Sequence, residues 1–289
     1  MKIIKKHLAI VLALGILLGV VAGGAVSCKS AAASDPKDYG VFIGVDYKAK
    51  SAKEKSSYIK KIGQYEEVVI DAAYWSKADI QKLKKQKTKK VYSYINIGSI
   101  ENFRSYYKEF ESHTLGDYEN WPEERWMDVS YKKWQTYMIK TWAPKLSKKG
   151  IDGFFVDNCD VYYHYHTTKI YKGLTTILKG LRKLESVVII NGGDSYVSKV
   201  ISKKNKKYFT AVNQECVYTV IKDYEKDKFK KQTGEETDYF VSYLKQCKKN
   251  KLSIYILEYT KDNNLKKLAY KNAKKMDWKA YVSGKVRLT

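Results

Sequence analysis

An alternation constrains this chain more than any other feature. From residue 39 onward, short apolar runs recur, each followed by a lysine-rich amphipathic stretch. The runs are 39–47 (YGVFIGVDY), 67–75 (EVVIDAAYW), 90–99 (KVYSYINIGS), 125–129 (RWMDV), 150–158 (GIDGFFVDN), 187–193 (VVIINGG), 208–216 (YFTAVNQEC) and 252–260 (LSIYILEYT). Runs such as VVID, GFFVD and VVIIN are near-continuous rather than alternating, the mark of parallel strands buried on both faces. Helical patterns lie between them, over 53–62, 77–86, 131–148, 167–184, 194–202, 237–250 and 264–275. This repetition predicts an α/β fold, a (β/α)8 TIM barrel formed as a single domain over 39–289. A doubly wound open sheet is the alternative. A ninth run, 279–283 (KAYVS), either closes the barrel or lies outside it. The largest insertion, 100–124, carries Tyr106, Tyr107 and Trp121 with Trp126 close behind, a composition suited to a sugar-contacting wall.

The first residues are targeting sequence. Lys2, Lys5 and Lys6 precede an apolar stretch over 8–21 and a small-residue stretch, the pattern of a bacterial secretory signal spanning 1–27. The stretch is short of the ~20 apolar residues a membrane span needs. Ala25-Val26-Ser27-Cys28 resembles a lipobox, with Ala at the usual Leu position, so Cys28 is the expected lipidation site. Residues 28–38 then form a flexible tether. The mature protein is expected to be exported and held at the cell surface by the lipid, or secreted.

Lys and Arg number 55 against 31 Asp and Glu, a formal net charge of +24. The lysines are dispersed and mixed with tyrosines rather than striped, which reads as a solvated surface and not as a nucleic-acid interface. Against that basic background, acids sit at nearly every strand terminus: Asp46, Asp71, Glu101, Asp128, Asp157 with Asp160 beyond it, Glu215 and Glu258. The sixth run ends at Asn191. In a barrel of this kind the active site lies at the carboxyl ends of the strands. Asp46, Asp128 and Asp194 are the acids best explained as caps of the helices that follow them. Asp157 directly follows an apolar strand run and Glu215 closes another before the turn begins, places where a carboxylate is costly unless paired or used. Two carboxylates facing one cavity are the minimum for glycoside hydrolysis, one protonated and one ionised. The expected split makes Glu215 the acid and Asp157 the nucleophile or base. Tyr47, Tyr74, Trp75, Tyr94, Tyr162 and Tyr259 are candidates to stack on sugar faces.

Several stretches resemble glycoside hydrolase family 114, the endo-α-1,4-polygalactosaminidase family. They are YINIGSIENFR from Tyr94, WPEERWMD from Trp121, GIDGFFVDNCDVY from Gly150, AVNQEC from Ala211, and Glu258-Tyr259. The resemblance implies a TIM barrel that cleaves α-1,4-linked galactosamine polymers internally, with Asp157 and Glu215 as the catalytic pair. The family often has Glu directly after the Asn, where this chain has Gln214 and then Glu215, which leaves the register open by one residue. Asp46, Asp71, Tyr94, Glu101, Asp128, Asn158, Asp160, Tyr162, Asn191, Glu258 and Tyr259 are the expected substrate-binding set. A non-catalytic carbohydrate-binding lipoprotein on the same barrel is the alternative function.

No cofactor is expected, since Asn191-Gly192-Gly193 is not followed by a phosphate-loop lysine motif. No metal is expected either, because His164 and His166 have no third spaced ligand. Disulfide pairing among Cys159, Cys216 and Cys247 stays open. The expected partners are a polysaccharide substrate and a membrane reached through the N-terminal lipid, for a protein acting as a monomer. The basic surface repels a cationic polymer at long range, but charges beyond ~8 Å are largely screened at physiological salt, so an acidic mouth acts locally.

Overall fold

The strands, in chain order, are β1 (Tyr39–Phe42), β2 (Glu67–Ile70), β3 (Lys90–Asn96), β4 (Ser99–Glu101), β5 (Thr114–Asp117), β6 (Glu124–Met127), β7 (Gly153–Asp157), β8 (Val188–Asn191), β9 (Ala211–Glu215), β10 (Thr219–Asp223), β11 (Lys228–Lys231), β12 (Ser253–Tyr259) and β13 (Lys279–Ser283). The computed structural model describes residues 35–204 and 208–289. The signal 1–27, Cys28 and most of the tether lie outside the described residues. The tether's last residues are tied to the barrel: the Lys37 and Asp38 carbonyls accept from the Glu66 and Glu67 amides at 2.8 and 3.1 Å.

Eight strands form one parallel sheet in the order β1-β2-β3-β7-β8-β9-β12-β13. They bury both faces, and that is why their sequences are apolar throughout. Amphipathic helices follow them, including Ala52–Ile62, Thr168–Leu184, Gly234–Lys249 and Asn263–Lys275. Side-chain caps start these four: Ser51, Thr167, Thr233 and Asp262 each accept from a first-turn amide. The ladder ends at β1 and at β13. These two strands meet side by side, and aromatic packing fills the seam: Phe42 lies 5.4 Å from Tyr281 and Tyr65 lies 5.8 Å from it, centroid to centroid. Gly44 adds a backbone bond to the Leu288 carbonyl at 3.3 Å.

The structure corrects the identity of the fourth barrel strand. The run 125–129 lies outside the barrel. Its strand, β6, pairs antiparallel with β4 and β5 in a three-stranded sheet that rises from the end of β3. The barrel's fourth strand is β7, and the ninth run, β13, is its eighth. The insertion is therefore an ordered excursion on the carboxyl-end face. A second excursion, the β10–β11 hairpin, follows β9; it is polar and short, and sequence periodicity did not reveal it.

Gly98 joins the first excursion to the barrel. A Cβ there would lie 1.6 Å from the Asn158 carbonyl oxygen, so only glycine lets the end of β3 pass against the end of β7. Beneath the site, at the amino end of the barrel, Glu67 accepts from Lys279 at 2.6 Å, Tyr255 at 2.8 Å and Tyr92 at 3.3 Å. This polar plug fills the floor.

Candidate active site

Successive side chains of a strand point to opposite faces, so parity decides which residues enter the barrel. On β7, β8 and β9 the last inward positions are Asp157, Asn191 and Glu215. The Asn191 Nδ2 donates to Asp157 Oδ1 at 2.9 Å and to Glu215 Oε1 at 2.8 Å. Carboxylates only accept, so the amide must present its nitrogen to them. Its oxygen is satisfied from below: Asn213 Nδ2 donates to Asn191 Oδ1 at 2.7 Å, and Tyr39 OH donates to Asn213 Oδ1 at 3.2 Å. Tyr259 OH donates to Glu215 Oε2 at 2.6 Å. The two carboxylates share one donor, so Asp157 Oδ1 and Glu215 Oε1 are at most about 5.7 Å apart.

Left-handed backbone follows each of these strand ends. Asn158 (φ 64°), Gly192 (φ 62°) and Cys216 (φ 58°) turn the chain away sharply and leave the site residues at the lip. Gly193 uses that turn to donate its amide to Asp160 Oδ1 at 3.0 Å. A Cβ on Gly192 would come within 2.7 Å of Asp160 Oδ2.

Electrostatics press upward on every carboxyl here. Burial, and then the Glu215 charge, push Asp157 well above the usual carboxylate range, and the Asn191 bond opposes them. Burial also raises Glu215, against the Tyr259 and Asn191 donors. Asp160 is pushed up to about 6, chiefly by burial. Each member of the pair is easier to ionise when the other is protonated, so the two titrate as a coupled unit. Asn191→Ala removes a donor that favours the ionised form of both. The acid limb of the kcat/KM profile is then expected to move to higher pH, as a pH–rate series on wild type and variant will show.

The other expected residues divide. Tyr94, Asp71 and Glu101 gather around Arg104 near the ends of β2 and β3. Arg104 bonds Asp71 Oδ2 at 2.9 Å and Glu101 Oε1 at 2.8 Å, and Tyr94 OH donates to Glu101 Oε1 at 3.3 Å. Asn158 accepts from Tyr118 OH at 3.0 Å and donates to Ser99 Oγ at 2.9 Å, beside Asp157. Asp46 is exposed and accepts from the Ala49 amide at 3.3 Å. Asp128 accepts from Ser130 Oγ at 2.6 Å and caps a turn, because its strand is not in the barrel. Neither joins the pair.

Glu258 departs from expectation most clearly. It has the opposite parity to Tyr259 and is fully buried outside the barrel wall. Its oxygens accept from the Val217, Tyr218 and Thr219 amides at 2.9 to 3.2 Å, and from Thr219 Oγ1 at 2.5 Å. It organises the turn after Glu215 and has no oxygen left for a sugar. Burial pushes it up to about 7, while these donors pull it down. Gln214 shares that outward parity, which leaves Glu215 as the inward acid of β9. Tyr162 is also fully buried, bonded to His166 Nε2 at 2.8 Å and to Lys199. Tyr47 and Trp75 stack on each other at 3.8 Å as core. Tyr106 and Trp126 are core as well, while Trp121 stays partly exposed. His164 packs on Trp126, so the two histidines have different partners. The thiols of Cys159, Cys216 and Cys247 are unpaired.

The excursions supply residues that sequence reading did not single out. Glu124, first in β6, accepts on Oε2 from Ser99 Oγ at 2.6 Å, Asn96 at 3.3 Å and Asn158 at 3.4 Å. Burial and the neighbouring Glu101 push it up to about 7. Tyr224, between β10 and β11, meets Trp121 edge-on at 6.1 Å. The advance signal for Glu124 was its place in the WPEERWMD stretch, and for Tyr224 only its place in a segment between barrel strands.

The chain is similar to known proteins. The family model for glycoside-hydrolase family GH114 matches residues 42–286. No curated protein matches the chain. Among solved structures, it resembles the glycoside hydrolase domain of PelA from Pseudomonas aeruginosa at 17% identity and a TM-score of 0.69, covering 88% of this chain and 97% of that one. It resembles Aspergillus fumigatus Ega3, solved in complex with galactosamine, at 17% identity and a TM-score of 0.63, covering 88% and 92%. TtGalA, an α-galactosidase from Thermus thermophilus, shares the fold at 10% identity and a TM-score of 0.54, covering 86% and 58%. Those likenesses establish the barrel, and the match over nearly the whole barrel establishes more: the chain belongs to glycoside-hydrolase family GH114 and is a glycoside hydrolase.

Proposed function

We propose that this protein is an exported hydrolase that cleaves α-1,4-linked galactosamine-type polysaccharide internally, with Asp157 and Glu215 as its catalytic pair and retention of anomeric configuration. The observation that carries the reading is the single Asn191 amide bonded to both carboxylates. It keeps the two bridged oxygens within about 5.7 Å, which supports the ~5–5.5 Å spacing of retaining enzymes over the ~6.5–9.5 Å that an inverting enzyme needs for an intervening water.

Asp157 is the nucleophile because it alone of the two has an oxygen, Oδ2, with no donor among the described residues; both Glu215 oxygens are engaged. With a proton on Glu215, its charge no longer adds to the burial that raises Asp157, and the Asn191 donor favours the ionised form of Asp157. Asp157 Oδ2 attacks the anomeric carbon as Glu215 passes its proton to the departing glycosidic oxygen, which leaves as a sugar hydroxyl. Glu215 then takes a proton from water, whose oxygen displaces Asp157 and regenerates both groups. Asn158, Asp160, Asn191 and Tyr259 line this centre. The galactosamine bound by Ega3, together with the acidic mouth, supports an amino-sugar substrate.

The reading includes a signal over 1–27, lipidation at Cys28, a tether over 28–38 and the catalytic barrel over 39–289. Its test is the mature protein incubated with a panel of α-linked amino-sugar polymers, with chain length followed by gel filtration and the first-formed anomer by NMR. Shortening with retention is expected. Intact polymers throughout overturn the substrate, and an inverted first product overturns the role of Asp157. Cys28→Ala is expected to release the protein from membranes.

A further inference from the structure

Glu124 is placed oddly for a structural residue. It lies directly opposite Glu101 in the antiparallel β4–β6 pair, where like charges destabilise. Glu101 has Arg104 as counter-ion, whereas Glu124 has no cation among the described residues. Its Oε2 is fixed by Ser99, Asn96 and Asn158, and a glutamine oxygen would accept those bonds equally well. Its Oε1 accepts no hydrogen bond among the described residues and stays open to solvent. Asn158, one of the donors to Oε2, directly follows Asp157 and is clamped from the other side by Tyr118. The carboxyl is thus held rigidly beside the nucleophile with one oxygen free, and its ionised form lacks a counter-charge.

We propose that Glu124 is the specificity-determining residue that reads the amino group of the bound sugar, its Oε1 pairing with the ammonium of a deacetylated unit and rejecting the N-acetylated one. This rests on the amino-sugar substrate of the preceding section. An ammonium there supplies the missing counter-charge through a charge-assisted hydrogen bond, whereas an acetamido group brings no charge and greater bulk.

The test compares kcat/KM of the mature protein on fully deacetylated and fully N-acetylated α-1,4-linked galactosamine polymers. Wild type is expected to prefer the free amine. Glu124→Gln is expected to lower kcat/KM on the free-amine polymer about tenfold or more, and on the acetylated polymer by less, so the preference ratio falls. Glu124→Asp, with its charge one methylene further back, is expected to give an intermediate ratio. Equal losses on both polymers for Glu124→Gln overturn the proposal, as a purely structural role would produce them. Should thermal melting show Glu124→Gln unfolded, Glu124→Asp carries the test, and a wild-type ratio in that variant overturns the proposal. Wild type cleaving neither polymer overturns the amino-sugar reading and this role together. Cleavage with an unmoved ratio removes the role of Glu124 alone.

Discussion

Asp157→Asn and Glu215→Gln are each expected to abolish hydrolysis of the polymer while leaving the barrel intact. Loss of a general acid costs about 10²–10⁴-fold in rate, and loss of the nucleophile removes the covalent route altogether. Folding responds in the other direction. Both carboxyls are raised above their ordinary values, so ionising them weakens the folded state as pH rises through their folded values. The amides remove that cost, and melting temperatures at neutral pH should equal or exceed wild type. A substrate with a good leaving group separates the roles: it needs no proton in the first step, so Glu215→Gln alone should release a burst of leaving group, with later turnover slowed by the missing base. A burst from Asp157→Asn instead would exchange them. Near-normal polymer turnover by both variants would sink the assignment of the pair.

The largest stability effect is expected at Arg104. Its side chain is 7% exposed and pairs with Asp71 and Glu101, at 5% and 2%. Arg104→Ala leaves two buried carboxyls without a cation, a change that costs about 3–5 kcal/mol. The loss should depend on pH. Burial already raises Asp71 even with Arg104 beside it, and removal of the guanidinium raises it further. A raised acid destabilises only where it must ionise, so the penalty is small in acid and grows as pH rises through its folded value. Urea denaturation of wild type and variant at acidic and neutral pH measures this; a penalty independent of pH would contradict the account.

The barrel was legible in the sequence because parallel strands buried on both faces spell near-continuous apolar runs. The same property hid two things. A short strand such as β6 reads alike in a barrel or a small antiparallel sheet, and only its partners Ser99–Glu101 and Thr114–Asp117 reveal the difference. A strand apolar on both sides also carries no in–out alternation. Asp157, Asn191 and Glu215 could be recognised as strand-end polar residues, but so could Glu258, and one residue of parity separates it from Tyr259. Asn191 as the bridge was unreadable for another reason: its role depends on three strands meeting, not on its neighbours in the chain. Glu124 belongs to an excursion whose path no periodicity described.

The seam between β1 and β13 bears on how the molecule tolerates motion. Going round the barrel from β1 to β13, β7, β8 and β9 occupy the fourth to sixth places, so the unladdered junction lies across the barrel from them. Aromatic side chains hold it where the other junctions have rows of amide bonds. Breathing of the barrel therefore begins on the far side from Asn191, and amide protons near the seam trade with solvent before those of the catalytic strands. The segment leading from the N-terminus enters at β1, on this same seam. A pull on it strains the junction that can yield and spares the half of the barrel where a fraction of an ångström decides the rate.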